Sequence, residues 1–173
     1  MPKIVIPEII TPWADFVAAA PQVSALFQRR HQACGNLCMI ATIRRDGSPR
    51  ISPMEPRIFE GQLLLVGMPG TTKFGDLERD PRFSLHTATI DNRVTDGDAK
   101  LSGRVVALED AEYRRRFLAH LLAESDMDFE DDQVSPLYAA DITSASTVEV
   151  VNEEHLELTI WKVGESERVV RKH

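Results

Sequence analysis

The chain has 173 residues, which suits one compact domain, and its 43% hydrophobic and 27% charged residues are typical of a globular protein. Its 27 acidic residues outnumber the 20 Lys and Arg residues, and the net charge is −7. A uniformly acidic chain lacks the basic footprint that nucleic acids and anionic membranes require. We therefore expect a single domain over residues 1–173 that binds neither of them, while a local basic pocket for one small anion stays possible.

The N-terminus and the cysteines favour a cytoplasmic protein. No apolar run approaches the roughly 18–20 residues of a membrane span. The first ten residues are interrupted by Pro7 and Glu8, unlike the apolar core of a secretory signal peptide. Cys34 and Cys38 are too few for a disulfide framework, and they lack a second ligand pair nearby, so we predict small core residues and no metal site.

The N-terminal third predicts helices followed by strands. In residues 1–32 apolar side chains recur every three or four positions, which indicates two short helices, and Pro21 separates them. From residue 36 to residue 108 short apolar runs alternate with turns rich in Gly, Asp and Pro, which is typical of a barrel core.

The first three strands of this core are expected to form a tight antiparallel meander. They are predicted over 37–44, 50–59 and 62–67. Pro53 and Pro56 cannot donate ladder hydrogen bonds, so one edge of the second strand should be unpaired or bulged.

The remaining elements alternate between helices and strands. A short helix is expected from Thr71 to Asp80, followed by strands over 82–90 and 100–108. Residues 109–124 predict a helix capped by Asp110, and residues 137–173 predict two or three closing strands. About six or more short strands with a few helices argue for a small barrel, because closure removes exposed strand edges.

The segment from Asp46 to Pro81 carries the most informative polar residues. A helix start offers free backbone N–H groups and the positive end of a dipole. Thr71 and Thr72 add hydroxyls there, while Lys73 and Arg50 add positive charge, and together these groups could hold a phosphate. The alternative is a purely structural role, in which a threonine caps the helix beside a surface lysine. The segment lacks the residue spacing of a Walker loop, which would have favoured phosphate binding.

Other candidate sites are weaker. The acidic segment 124–132 is interpreted as a solvated loop, because it lacks the glycine and closing glutamate of a calcium loop. His86 is predicted to be a hydrogen-bonded barrel residue, with a place in a ligand pocket as the alternative. No nucleophile elbow occurs, so no Ser-His-Asp arrangement can be argued.

The order of these elements resembles the pyridoxamine 5′-phosphate oxidase-like, FMN-binding split-barrel family. The resemblance covers residues 36–107, from the run LCMIATIR through RISPMEPRIF and PGTTK to FSLHTA, and the tail LELTIWKVGESERVVRK is similar to the closing strands of the bacterial branch. It implies a mainly β fold, a six-stranded antiparallel split barrel with flanking helices. It also implies a homodimer with FMN at the subunit interface.

The resemblance further implies a set of cofactor-binding residues. These are Arg50, Ile51, Ser52 and Pro53 on one strand, Val66 and Gly67 on the next, Thr71, Thr72 and Lys73 at the helix start, and Trp161 near the partner's flavin. The sequence departs from the family pattern at Thr72, where the family has an arginine that contacts the phosphate. The C-terminal Arg-x-His substrate motif of the true pyridoxamine phosphate oxidases is absent as well.

Three functions follow from this resemblance. The first is an FMN-dependent oxidoreductase that passes hydride or electrons between a nicotinamide nucleotide and a small organic substrate. The second keeps the fold but uses a deazaflavin coenzyme, whose acidic tail would prefer a basic groove to which Lys100, Arg104 and Arg57 could contribute. The third is a flavin- or haem-binding protein without turnover. No side chain is singled out as catalytic.

Overall fold

The computed structural model describes residues 8–89, 91–125 and 135–173, and within them the chain is mainly β. The helices are α1 (Trp13–Ala19), α2 (Pro21–Ala33), α3 (Thr72–Arg79) and α4 (Ala111–Glu124). The strands are β1 (Cys38–Ile43), β2 (Pro49–Met54), β3 (Arg57–Phe59), β4 (Gln62–Val66), β5 (Arg82–Thr87), β6 (Asp98–Ala107), β7 (Leu137–Val151), β8 (His155–Lys162) and β9 (Arg168–Lys172).

The N-terminal helices confirm the break predicted at Pro21. Helix α1 ends two residues earlier, and Pro21 is the first residue of α2, a position where its missing N–H costs nothing. Ala20 cannot cap α2 with its side chain, and the far end of the chain does so instead. The carboxylate of Glu167 accepts hydrogen bonds from the backbone N–H of Val23 at 2.8 Å and of Gln22 at 3.3 Å. The closing strands are thereby fixed to the first helices.

All strand pairs are antiparallel, and the sheet confirms the predicted fold class. The hydrogen-bonded path runs β2-β1-β5-β6-β7-β4-β3, and β8 and β9 extend the sheet from the second half of β7. The described strands number nine, more than the six expected, because the tail forms a long hairpin arm. The predicted helix cap is present, since the Asp110 carboxylate accepts from Tyr113 N–H at 2.6 Å.

The predicted meander of the first strands is correct in its two antiparallel pairings, but its second strand is divided into β2 and β3. Strands β1 and β2 form one hairpin and β3 and β4 form another, but β2 and β3 lie at opposite ends of the hydrogen-bonded path. The link between them is only Glu55 and Pro56. The sheet therefore curls until its two ends meet without pairing, and we call this place the seam. Pro53 lies on β2, whose partner within the described sheet is β1 alone, as expected for a strand that lacks a ladder donor.

Two apolar clusters hold the barrel together. The larger fills its interior, where Phe16 of α1 and Phe27 of α2 pack with inward-facing residues of the strands. The smaller lies under α4, where Tyr113, Phe117 and Leu121 pack on the start of β7. Within the described residues no helix is long and apolar enough to span a membrane. Residues 126–132 of the acidic segment lie outside the described part of the chain, so its predicted solvation stays a prediction.

Candidate functional site

A cleft of about 840 Å³ opens at the seam, beside the end of β4 and the start of α3. Its volume is within the range of roughly 300–1,000 Å³ that is usual for small-molecule sites. The lining residues are Asn36, Leu37, Pro53, Met54, Glu55, Arg57, Val66, Gly67, Met68, Thr71, Lys73, Leu121, Glu124 and Ser125. Apolar walls and a few charged groups at the edges suit a ligand with a flat apolar body.

Thr71 distinguishes a ligand site from ordinary capping. It is the N-cap residue of α3, yet its side chain makes no capping hydrogen bond, and the backbone oxygen accepts from Phe74 N–H at 3.2 Å instead. The Thr71 hydroxyl is buried at the cleft and has no hydrogen-bond partner among the described residues. A buried hydroxyl without a partner costs free energy, so an acceptor or donor supplied by a ligand would be favourable here.

Lys73 provides the positive charge beside this hydroxyl. Its Nζ donates to the backbone oxygen of Pro53 at 2.9 Å, which joins the start of α3 to the edge strand β2. Partial burial lowers the pKa of Lys73 from its ordinary value, because desolvation disfavours the ammonium form. A bound anion would oppose this effect and stabilise the charged lysine.

Gly67 is required by a close approach to Phe74. A Cβ atom at residue 67 would lie 2.0 Å from Cε2 of the Phe74 ring. That ring is buried and stacks on Tyr138 with centroids 5.8 Å apart, so it cannot move aside easily. The glycine thus lets α3 pack against the floor of the cleft.

Arg50 is engaged within the protein beside the cleft. Its Nε donates to Oδ2 of Asp76 at 2.6 Å, and the same oxygen accepts from Thr42 Oγ1 at 2.9 Å. Arg79 donates to the other carboxylate oxygen at 3.1 Å. Burial alone would raise the pKa of Asp76, but the hydrogen bonds from these three donors outweigh it, and the pKa lies below its ordinary value.

The structure divides the predicted site residues into two groups. Pro53, Val66, Gly67, Thr71 and Lys73 line the cleft together.

The residues of the second group do not line it. Arg50 pairs with Asp76, Ser52 is half-buried opposite Ile40 on β1, and Thr72 is exposed in the first turn of α3. Ile51 is 71% exposed and borders a separate pocket of about 180 Å³.

Trp161 lies in the main core and outside the cleft. Its side chain is only 1% exposed and packs edge-on against Phe16 in the main core, with ring centroids 5.2 Å apart. Strand alternation directs residue 161 inward, opposite Ala145 of β7, so the indole does not line the cleft.

Sequence reasoning missed the residues that the fold brings to the cleft from distant elements. Leu121 and Glu124 come from the end of α4, and no local motif marks them. Glu55 precedes Pro56, and its position at a proline-interrupted strand was the one available signal.

Of the three cations considered for a basic groove, Arg57 alone lines the cleft. Lys100 borders the separate, smaller pocket. Arg104 donates to the buried carboxylate of Asp141 at 3.0 Å.

The remaining candidates lie outside the cleft. His86 donates from Nδ1 to the backbone oxygen of Thr87 at 2.5 Å and borders the smaller pocket with Ile51. Cys34 donates to the oxygen of Ala88 at 2.8 Å, and burial raises the pKa of the Cys38 thiol to about 12. Among the described residues no group of three His, Cys, Asp or Glu side chains is arranged to hold a metal ion.

The fold and the cleft define a split-barrel protein with a small-molecule site at its seam. The family model for pyridoxamine 5′-phosphate oxidase matches residues 22–153, well over half of the sequence, and the chain belongs to that family. No curated protein matches the chain significantly in sequence.

Solved structures share the fold at low sequence identity. A pyridoxamine 5′-phosphate oxidase-related, FMN-binding protein from Nostoc punctiforme has a TM-score of 0.61 at 11% identity, covering 99% of this chain and all (100%) of its own. PhzG from Burkholderia lata 383, in complex with tetrahydrophenazine-1-carboxylic acid, has a TM-score of 0.61 at 12% identity and covers 98% of both chains. A heme binding protein from Mycobacterium smegmatis has a TM-score of 0.55 at 18% identity, with 86% of this chain and 57% of its own covered.

Proposed function

We propose that this protein is an FMN-dependent oxidoreductase that acts on a small organic substrate, with a nicotinamide nucleotide as electron donor. The observation that carries the proposal is the buried hydroxyl of Thr71, which has no partner in the described part of the chain, beside the desolvated ammonium of Lys73 at the start of α3. A helix start, a hydroxyl and a cation are the groups that bind a phosphate in proteins. The cleft next to them has the size and the apolar walls for a flat ring system.

The chain's own residues would bind and orient the cofactor. Lys73 and Thr71 hold the phosphate, and the backbone beside Pro53 offers polar groups at the unpaired edge of β2. Gly67 keeps the floor of the cleft flat, while Met54 and Leu121 exclude water from its apolar part. When bound, FMN supplies the two-electron redox chemistry, and the protein supplies position and electrostatics.

The lining of the cleft favours a flavin over haem. The lining residues within the described chain include no histidine and no cysteine, which are common axial ligands of haem iron. The Nostoc relative binds FMN and the Mycobacterium relative binds heme, so the shared fold allows both. Met68, which is exposed at the rim, is a weaker candidate ligand, so a haem-binding protein without turnover is the less favoured alternative.

We also propose that the protein is a homodimer. Ile51 stands 71% exposed on β2, next to Met39 and Ala41 of β1. A large exposed aliphatic side chain within an apolar surface is typical of an interface, and a second copy of the same face is the simplest partner for it.

The cofactor assignment is tested by comparing FMN with riboflavin, which lacks the phosphate. Each ligand is titrated into the wild-type chain and into the Lys73→Ala variant, and binding is followed by flavin fluorescence. Loss of a charge-assisted hydrogen bond should weaken FMN binding by about 1–3 kcal/mol. Riboflavin binding should change little, because it makes no phosphate contact. Lys172→Ala, at an exposed position on β9, is the matched control.

Other results would replace this function. Equal loss of FMN and riboflavin affinity in Lys73→Ala would show that the phosphate is bound elsewhere. A chain that takes up deazaflavin but not FMN would be a deazaflavin-dependent reductase, and a Soret band with added haem would favour the haem-binding alternative. A flavin-loaded chain that no nicotinamide nucleotide reduces under anaerobic conditions would be a binding protein or an enzyme with another donor.

A further inference from the structure

Arg57 is a second cation of the cleft, and the phosphate site does not need it. It is the first residue of β3 and follows Pro56 at the seam. A hydrogen bond fixes the position of Pro56, because Nε2 of His31 donates to the backbone oxygen of Pro56 at 2.8 Å. Burial, with a further contribution from the Arg57 charge, lowers the pKa of His31. Arg57 lines the cleft and supplies positive charge there, whereas His31 is not a lining residue.

The guanidinium of Arg57 is only partly paired. Its Nη2 donates to Oε2 of Glu55 at 3.1 Å, whereas Nη1 is buried without a partner among the described residues. Glu55 is 57% exposed, so this ion pair is largely screened by solvent and holds the guanidinium weakly. A carboxylate on a bound ligand could take two parallel hydrogen bonds from the same edge, which Glu55 does not do.

Arg57 and Lys73 both line the cleft, and they are engaged by different groups. Lys73 donates to the carbonyl of Pro53, whereas Arg57, four residues further along the chain, pairs with Glu55. Val66, Pro53 and Met54 supply apolar lining in the same cleft. If Lys73 binds one oxyanion of a ligand, Arg57 remains available to bind a second oxyanion.

We propose that Arg57 recognises a carboxylate of the organic substrate, which displaces Glu55 and pairs with both terminal nitrogens. The assignment rests on the proposed function in taking Lys73 for the cofactor phosphate. If Arg57 binds a carboxylate and the rest of the cleft is apolar, the substrate is a planar or apolar organic acid.

Benzoate is the probe, and benzamide is its neutral counterpart of the same shape. Both are titrated by calorimetry into the FMN-loaded chain and into the cofactor-free chain. In Arg57→Gln the dissociation constant of benzoate should rise about tenfold or more, while that of benzamide should change less than about twofold. Arg57→Lys should lie between the wild type and the glutamine variant, because it keeps the charge but loses the planar fork.

The Glu55→Gln substitution should change the affinity for benzoate in the direction opposite to Arg57→Gln. Removing the competing carboxylate should strengthen benzoate binding about two- to fivefold, which a general disturbance of the fold would not do. Arg44→Gln, in the exposed turn after β1, removes the same charge outside the cleft and should change neither ligand. Circular dichroism melts confirm that each variant is folded.

Several outcomes would overturn the proposal. They are the absence of benzoate binding to the wild type at millimolar concentration, equal losses for benzoate and benzamide, and weaker benzoate binding in Glu55→Gln. A selective loss of FMN relative to riboflavin in Arg57→Gln would assign the residue to the cofactor phosphate instead. If FMN fails to bind at all, the proposed function fails, while the titrations of the cofactor-free chain still test Arg57.

Discussion

Arg50 and Asp76 join the edge strand of the barrel to helix α3, with Arg50 Nε and Asp76 Oδ2 only 2.6 Å apart. The carboxylate is buried and also accepts from Thr42 and Arg79, so one side chain ties together β1, β2 and α3. Asp76 lies four residues after Thr72, on the same face of the helix. The pair therefore fixes the direction of the helix start that borders the cleft.

Replacement of Asp76 by asparagine should destabilise the fold. The variant keeps the shape of the side chain but removes the charge that two arginines face, and hydrogen bonds to charged groups are worth about 1.5–3 kcal/mol each. We expect the free energy of unfolding in urea at neutral pH to fall by about 2–3 kcal/mol. Asp80→Asn, which breaks the ion pair with the exposed Arg82, should cost less than about 1 kcal/mol. Equal effects of the two substitutions would contradict the role of Asp76.

The same carboxylate should make stability depend on pH on the acid side. The pKa of Asp76 lies below its ordinary value of 3.8 in the folded chain, so its stabilisation is complete above that value. It is lost as the pH falls through the lower, folded-state pKa. Urea unfolding of the wild type and of Asp76→Asn should therefore differ by a constant amount above about pH 5 and converge below pH 3.8. A gap that stays constant down to the acid limit would show that the charge contributes little.

Two glycines near α3 should respond in opposite directions to alanine. In Gly67→Ala the new methyl group would meet the buried Phe74 ring at 2.0 Å, and overpacking of this kind costs about 1–3 kcal/mol. In Gly75→Ala a Cβ meets nothing within 4 Å, and the helix should gain about 0.5–1 kcal/mol. Thermal melts measure both, and an unchanged melting temperature in Gly67→Ala would show that Phe74 can move aside.

A charge at Ile51 should disrupt the proposed dimer. Ile51→Asp places a carboxylate on the exposed face of β2, and burying it against a second copy would be costly. We expect a dimer for the wild type and a monomer for this variant by light scattering. Ile10→Asp, at a residue that is 75% exposed elsewhere, should leave the dimer intact. A monomeric wild type with cofactor bound would contradict the interface.

Local patterns predicted most elements of this fold. Pro21 marked the boundary between α1 and α2, Asp110 marked the start of α4, and the turn residues around Gly47 and Gly61 separated the strands of each hairpin. The order of the strands could not be found in this way. Pro53 and Pro56 were recognised as breaks in pairing, but sequence spacing alone does not show that β2 and β3 lie at opposite ends of the sheet.

The site was predictable only where its residues are close together in the sequence. Thr71 and Lys73 adjoin one helix start, and both line the cleft. Leu121 and Glu124 depend on how distant segments pack, so no motif marks them. The burial of Trp161 was not predictable for a different reason, because the inward or outward direction of a strand residue depends on register, and a shift of one residue reverses it.

The cleft lies between β2 and β3, the strands at the two ends of the hydrogen-bonded path, which a link of only two residues connects at the seam. A ligand in the cleft contacts both of these strands. Its binding therefore stabilises both ends of the sheet against unfolding at the same time. The amide hydrogens of β2 and β3 should exchange with solvent fastest in the empty protein and slow the most on loading, although the two strands share no ladder. The exchange rates of the amide hydrogens in these two edge strands would thus measure the fraction of the protein that has cofactor bound.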